Sequence, residues 1–247
     1  EDIQVLRDNN IGVALMGETF MRSPNKVEKL AYLYGPTYYT PKIKMCGISK
    51  VETIPAIVDA KPDYMGLVFA PSKRQVTVEQ AKTLVDELHK QYEIKTVGVF
   101  VNETIEKLLK IAEKVKLDVI QLHGDEDESF IQTLKEQSNV EVWKAVQVRS
   151  AADAEKWIDS SADMLLFDAY HKDERGGTGE VFDWSSLDEF ERPFMLAGGM
   201  DSTNVARAIR TVRPYGIDIS SGIETEGVKD DEKIKAFTNI VRTIALS

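Results

Sequence analysis

The chain is poor in cysteine, in histidine, in positive charge and in long apolar runs, and each shortage narrows what it can be. One residue of 247 is a cysteine, Cys46, so no disulfide can form within the chain, which fits a reducing compartment. The 3 histidines, His89, His123 and His171, join no cluster at metal-ligand spacing, so no metal is expected. No stretch approaches the roughly 18 apolar residues of a membrane span. The best, IGVALMGETFM, is short and carries Glu18. Against 41 acidic residues stand 31 basic ones, a net charge of −10, which disfavours a protein that reads a nucleic-acid backbone. An anionic small molecule needs only a few local donors and stays open. The opening EDIQVLRDNN does not read as a secretory signal, so a cytoplasmic location is expected. The missing initiator Met suggests processing or a piece of something longer. Walker loops, G-x-S-x-G elbows and a G-x-G-x-x-G after the first strand are also missing.

What is present is alternation. Short apolar, β-branched runs read as strands at KIKMC (42–46), YMGLVF (64–69), KTVGVFV (95–101) and DVIQL (118–122). Four more follow at EVWKAV (141–146), DMLLFD (163–168), FMLA (194–197) and GIDIS (216–220). Amphipathic segments lie between them. NETIEKLLKIAEKV sets Ile105, Leu108, Leu109, Ala112 and Val115 on one stripe, with Asn102 as the expected N-cap. TVEQAKTLVDELHKQ opens with Thr77 and Gln80 at capping-box spacing. Successive strands start about 22–31 residues apart, room for a crossover helix each time, so neighbours should be parallel. Eight such units predict an α/β fold, a compact (β/α)₈ TIM barrel, ahead of an open doubly wound sheet.

That architecture raises the interest of Cys46. A lone cysteine is most often a small buried hydrophobe. In a barrel, however, chemistry sits at the C-terminal strand ends and in the loops that follow. Cys46, His123 and Asp168 all occupy such ends. In DMLLFDAY, alternation puts Met164, Leu166 and Asp168 on one face. A carboxyl ending an apolar strand is partly desolvated and suits proton donation, although a cap or loop salt bridge is the plainer role. The glycine-rich HKDERGGTGEVFDW that follows reads as a mobile lid. LAGGMDSTN after the seventh strand and SSGIE after the eighth read as phosphate turns, through Gly198, Gly199, Ser221 and Gly222. Arg74 in APSKRQV could pair with a substrate carboxylate or simply face solvent. If Cys46 faces the barrel interior, so does Lys44, which then needs a partner; Asp218 is in phase to supply it. Such a positive charge would favour the Cys46 thiolate. His123 is either a loop-packing residue or part of the site, and His89 and His171 receive no role.

From Lys42 onward the chain resembles the phosphoribosylanthranilate isomerases of tryptophan biosynthesis. The matching motifs occur in order: KIKMCGIS, GLVFAPSKRQV, VGVFVNE, DVIQLHGDE, LLFDAYHKDERGGTGEVFDW, LAGGMDSTNV and GIDISSGIETEGVKD. The resemblance implies a barrel that performs an Amadori rearrangement without cofactor or metal. It implies Asp168 as general acid, Cys46 as general base and Arg74 as holder of the anthranilate carboxylate. The glycine turns would hold the phosphate, while Asp218 and His123 would line the site. The small phosphorylated substrate is then the only expected partner, with a monomer favoured and neither nucleic acid nor membrane involved.

Residues 1–41 fall outside that resemblance. NNIGVALMGETFMRSPNKVEKLAYL resembles the last strand–helix unit of indole-glycerol-phosphate synthase, with Gly17 and Glu18 matching part of its phosphate turn. The expectation is a synthase remnant plus the linker YGPTYYTP, followed by the isomerase barrel 42–247, as in a bifunctional fusion. Two rivals remain. One is a related sugar-phosphate isomerase of histidine biosynthesis, in which a carboxylate stands where this chain has Cys46. The other is a barrel that binds a phosphorylated ligand without catalysis.

Overall fold

The computed structural model describes residues 40–169, 184–187 and 190–244. The synthase-like stretch and the expected lid, with His171, therefore lie outside the described residues. Eight strands appear where the sequence placed them. They are β1 (Lys42–Cys46), β2 (Tyr64–Val68), β3 (Lys95–Phe100), β4 (Val119–Leu122), β5 (Glu141–Val148), β6 (Met164–Ala169), β7 (Phe194–Ala197) and β8 (Gly216–Ile219). All pair in parallel and in chain order, and β1 pairs with β8, so the sheet closes into a barrel. Closure leaves the barrel sheet without an edge.

The strands read as near-continuous apolar runs because both of their faces are covered. One face packs inside the barrel, where Tyr64, Val97, Val119, Trp143, Met164, Leu166 and Met195 form a cluster. Tyr64 and Trp143 meet edge to face, with ring centroids 4.8 Å apart. The other face meets helices: α1 (Ile54–Ala60), α2 (Val78–His89), α3 (Ile105–Val115), α4 (Glu128–Gln137), α5 (Ala151–Glu155), α6 (Val205–Val212) and α7 (Asp231–Thr243). Ile234, Phe237 and Val241 of α7 are wholly buried, as their spacing requires.

Helix starts follow local chemistry. Thr77 and Gln80 form the expected capping box on α2. At α3 the expectation fails, because Thr104 is the N-cap and its side chain accepts from the Lys107 amide. Asn102 instead adopts φ +50° and joins the loop after β4, where its side chain donates to Asp125 and accepts from the Asp125 amide. A tertiary partner claimed Asn102, and the cap fell to Thr104 two residues on. After β8 the chain makes a 3₁₀ turn (Ser221–Ile223) and a small hairpin, β9 (Glu224–Thr225) with β10 (Val228–Lys229). Both of its turn residues, Glu226 and Gly227, have positive φ, as a two-residue type I′ turn demands.

Candidate active site

At the C-terminal end of β1, alternation turns Lys44 and Cys46 inward and Met45 outward. Lys44 is completely buried, and its Nζ donates to Asp218 Oδ1 and Oδ2 at 3.0 and 3.1 Å. The expected ion pair across the barrel seam is therefore present, and the register that aligns Lys44 with Asp218 creates it. On the other side of β1, Cys46 is in register with Gly66 of β2. A Cβ on Gly66 would lie 2.8 Å from Cys46 Sγ and 3.1 Å from Lys44 Nζ. The missing side chain is what leaves room for both groups.

Burial pushes the Cys46 thiol above its ordinary value, Lys44 pulls it down, and Asp218 pushes it up again. The expected help from Lys44 is real but outweighed. Burial disfavours the Lys44 ammonium, yet Asp218 and Cys46 together raise its pKa.

Cys46, His123, Asp168 and Asp218 line one cleft of about 400 Å³ above the packed core, with Arg74, Gly198, Gly199 and Ser221 at its wall. His123 Nε2 stands 3.5 Å from Asp168 Oδ2. His89 lies elsewhere, its ring nitrogen 3.4 Å from the Ile94 carbonyl. Among the described residues no group of three His, Cys, Asp or Glu side chains could hold a metal ion. A larger hollow of about 670 Å³ lies on the outer layer beside Trp157. Its buried cation, Lys144, is already bound to Glu126 at 3.0 Å and to the Gly124 carbonyl at 2.6 Å. None of the expected site residues faces it.

Two expected site residues have partners inside the chain. Arg74 lines the cleft, partly exposed, and is already paired: its Nε and Nη2 donate to the two oxygens of Glu224, each at 2.6 Å. Lys229 donates to Glu224 Oε1 and to the Ser220 carbonyl, both at 2.8 Å. Burial raises the Glu224 pKa, but the bonds from Arg74 and Lys229 overcome it and hold the carboxyl at about 2. Glu224 and Lys229 are cross-strand partners in the small hairpin, so the type I′ turn builds this network. The signal was legible as Glu-Gly inside ETEGVK, but strand reading stopped at β8.

The second is Gly222, which packs against the other glycine turn and is not among the residues that line the cleft. A Cβ there would fall 2.0 Å from the Met200 carbonyl oxygen. Gly198 and Gly199 do line it, at φ +92° and +59°, conformations that favour glycine. The turn leading into α6 is closed from within the chain, since Asp201 Oδ1 accepts from the Thr203 and Asn204 amides.

Set beside known proteins, residues 43–240 match the family model described as N-(5'phosphoribosyl)anthranilate (PRA) isomerase. The chain belongs to the phosphoribosylanthranilate isomerase family. Within that family it is 49% identical over 205 residues to the N-(5'-phosphoribosyl)anthranilate isomerase of a Thermoanaerobacter species, covering 82% of this chain and 98% of the relative. Among solved structures, the phosphoribosylanthranilate isomerase of Thermotoga maritima superposes with a TM-score of 0.73 at 37% identity, over 82% of this chain and 98% of that one. A structure of the isomerase in complex with reduced 1-(o-carboxyphenylamino)-1-deoxyribulose 5-phosphate superposes at 0.71, with 34% identity and coverage of 82% and 98%. The chain is thus an isomerase of tryptophan biosynthesis built on a (β/α)₈ barrel.

Proposed function

We propose that this chain converts N-(5'-phosphoribosyl)anthranilate to 1-(2-carboxyphenylamino)-1-deoxyribulose 5-phosphate, with Asp168 as general acid and Cys46 as general base. The observation that carries the assignment is that a thiol and a carboxyl, on separate strands, face one cleft beside the glycine turns. Asp168 protonates the ribose ring oxygen as its bond to C1′ breaks and the anilino nitrogen's lone pair forms a Schiff base. Cys46, as thiolate, removes the C2′ proton to give an enolamine. Loss of the C2′ hydroxyl proton and protonation at C1′ complete the aminoketose. Every atom of the substrate is retained, so neither oxidant nor cofactor enters.

The surroundings support these roles. Burial holds the thiol above its ordinary pKa, and Lys44 and Lys229 act against it in favour of the thiolate that the base step needs. Arg74 binds the anthranilate carboxylate by exchanging it for Glu224, one bidentate carboxylate partner for another. Gly198, Gly199 and Ser221 receive the phosphate through backbone N–H groups, with Gly222 holding the two turns in contact. The solved relative with a reduced carboxyphenylamino-deoxyribulose phosphate supports a ligand of that class. Residues 1–41 we read as a remnant of a synthase-like barrel from a bifunctional fusion. The enzyme works as a cytoplasmic monomer on a small-molecule substrate.

The test follows anthranilate-type fluorescence after freshly made phosphoribosylanthranilate is mixed with the protein. Wild type should quench it rapidly, while Cys46→Ala and Asp168→Asn should lose about 10²–10⁴-fold in kcat, the range for one acid or base group. Full turnover in Cys46→Ala would return the thiol to a packing role. Ligand binding without turnover in wild type would favour a non-catalytic barrel.

A further inference from the structure

We propose that Gln121 is a positioning and substrate-contacting residue of this site: its amide N–H sets the tautomer of His123, and its Oε1 accepts from a sugar hydroxyl of the substrate. The inference rests on the isomerase reading and adds a residue to it. Gln121 lies on β4, only 1% exposed, and lines the same cleft as Cys46 and Asp168. Its Nε2 is 3.2 Å from His123 Nδ1. An amide nitrogen can only donate, so Nδ1 accepts and the neutral ring carries its proton on Nε2. That Nε2 is the atom 3.5 Å from Asp168 Oδ2. The relay thus keeps the protonated ring nitrogen 3.5 Å from the carboxyl on which negative charge develops when it gives up its proton, a charge contact that is not yet a hydrogen bond. Such a donor, already oriented, stabilises the charge as it forms. Contacts of this kind tighten when substrate closes the site.

The other end of the amide supplies the second half. Among the described residues, Gln121 Oε1 is buried and has no hydrogen-bond partner. In this orientation the amide nitrogen faces His123 and the oxygen is the atom left without a partner. Its flanking residues in the sheet, Val99 and Trp143, cannot satisfy it; the Trp143 Nε1–H already donates to Glu141 at 2.7 Å. Gln121 lines the cleft, which is the route by which a partner can enter. A neutral acceptor selects a donor, which ionised phosphate and carboxylate groups lack. The C2′ hydroxyl is such a donor, and it becomes the product ketone by losing its proton. Gln121 orients that hydroxyl and takes no proton itself.

The experiment compares Gln121→Met, of similar shape but apolar, with Gln121→Glu, which keeps an acceptor and loses the donor to His123. Measured are kcat, KM, melting temperature and affinity for reduced 1-(o-carboxyphenylamino)-1-deoxyribulose 5-phosphate. Removing an orphaned buried acceptor should raise the melting temperature of Gln121→Met while kcat falls at least about tenfold and the analogue binds about tenfold more weakly. Gln121→Glu should hold analogue affinity within about threefold while kcat still falls. Wild-type kcat and affinity in Gln121→Met overturn the proposal, as does a lower melting temperature. Should Gln121→Met not fold, unchanged kcat in Gln121→Glu overturns it instead. A wild type without turnover removes the isomerase reading and this inference together, a result distinct from an active wild type indifferent to Gln121.

Discussion

Lys44 shows what a single side chain does here. Its ammonium is wholly buried, balances Asp218 at 3.0 Å and acts on Cys46 from the same strand face. Replacing it leaves Asp218 as a buried charge without its partner, a loss of roughly 3–5 kcal/mol in comparable cases. Lys44→Met should therefore unfold at markedly lower urea, and any folded fraction should show a further weakened thiolate. A midpoint equal to wild type would mean that water reaches Asp218. Glycine 66 acts by absence. Gly66→Ala drives a methyl group against Cys46 Sγ at 2.8 Å and the Cys46 Cα at 3.1 Å. Overpacking of this sort costs about 1–3 kcal/mol. Denaturant unfolding together with kcat should show both stability and rate reduced; a silent substitution would show that the β1–β2 contact is looser than its geometry.

At the scale of elements, the hairpin of β9 and β10 is the device that controls Arg74. It places Glu224 and Lys229 side by side, and the Glu224 carboxyl sits at about 2, below its ordinary 4.5. A depressed carboxyl contributes stability above its unfolded pKa and loses that contribution as pH falls through the folded value. Wild type should thus lose stability between about pH 4.5 and 2 on this account. Glu224→Gln should be less stable at neutral pH, with the gap to wild type closing across that window. Parallel melting curves at every pH would refute the role of the network. The hairpin was open to sequence reading, because Glu-Gly between short β-prone pairs is a turn signal. What the letters do not contain is that Glu224 folds back onto a residue 150 positions earlier.

For the molecule as a whole, closure is the decisive fact. Eight strands in chain order bring β8 back to β1, and the Lys44–Asp218 pair crosses that seam. The barrel unit runs Pro41–Thr243, so on the remnant reading a protein lacking residues 1–40 should keep its turnover within a fewfold. Loss of activity on that truncation would make the N-terminal stretch part of the working enzyme. On the proposed mechanism, in which acid and base are both side chains, chelation by EDTA should leave the rate unchanged; inhibition reversed by added metal would overturn it.

Periodicity alone determined the eight strands, the capping box at Thr77 and the inward phase of Lys44, Cys46 and Asp168, because alternation and local hydrogen bonding are properties of neighbouring residues. Strand-end placement likewise singled out His123 and the two glycine turns, and strand phase singled out Asp218. Only the tertiary structure decided that Arg74 holds Glu224, that Asn102 joins the β4 loop, that Gly222 packs against Met200, and that Gln121 keeps a buried oxygen without a partner among the described residues. Each of these depends on which distant atoms arrive at one place. Burial did the same for Cys46: one charged neighbour in sequence favours its thiolate, but desolvation by the assembled barrel acts on it more strongly.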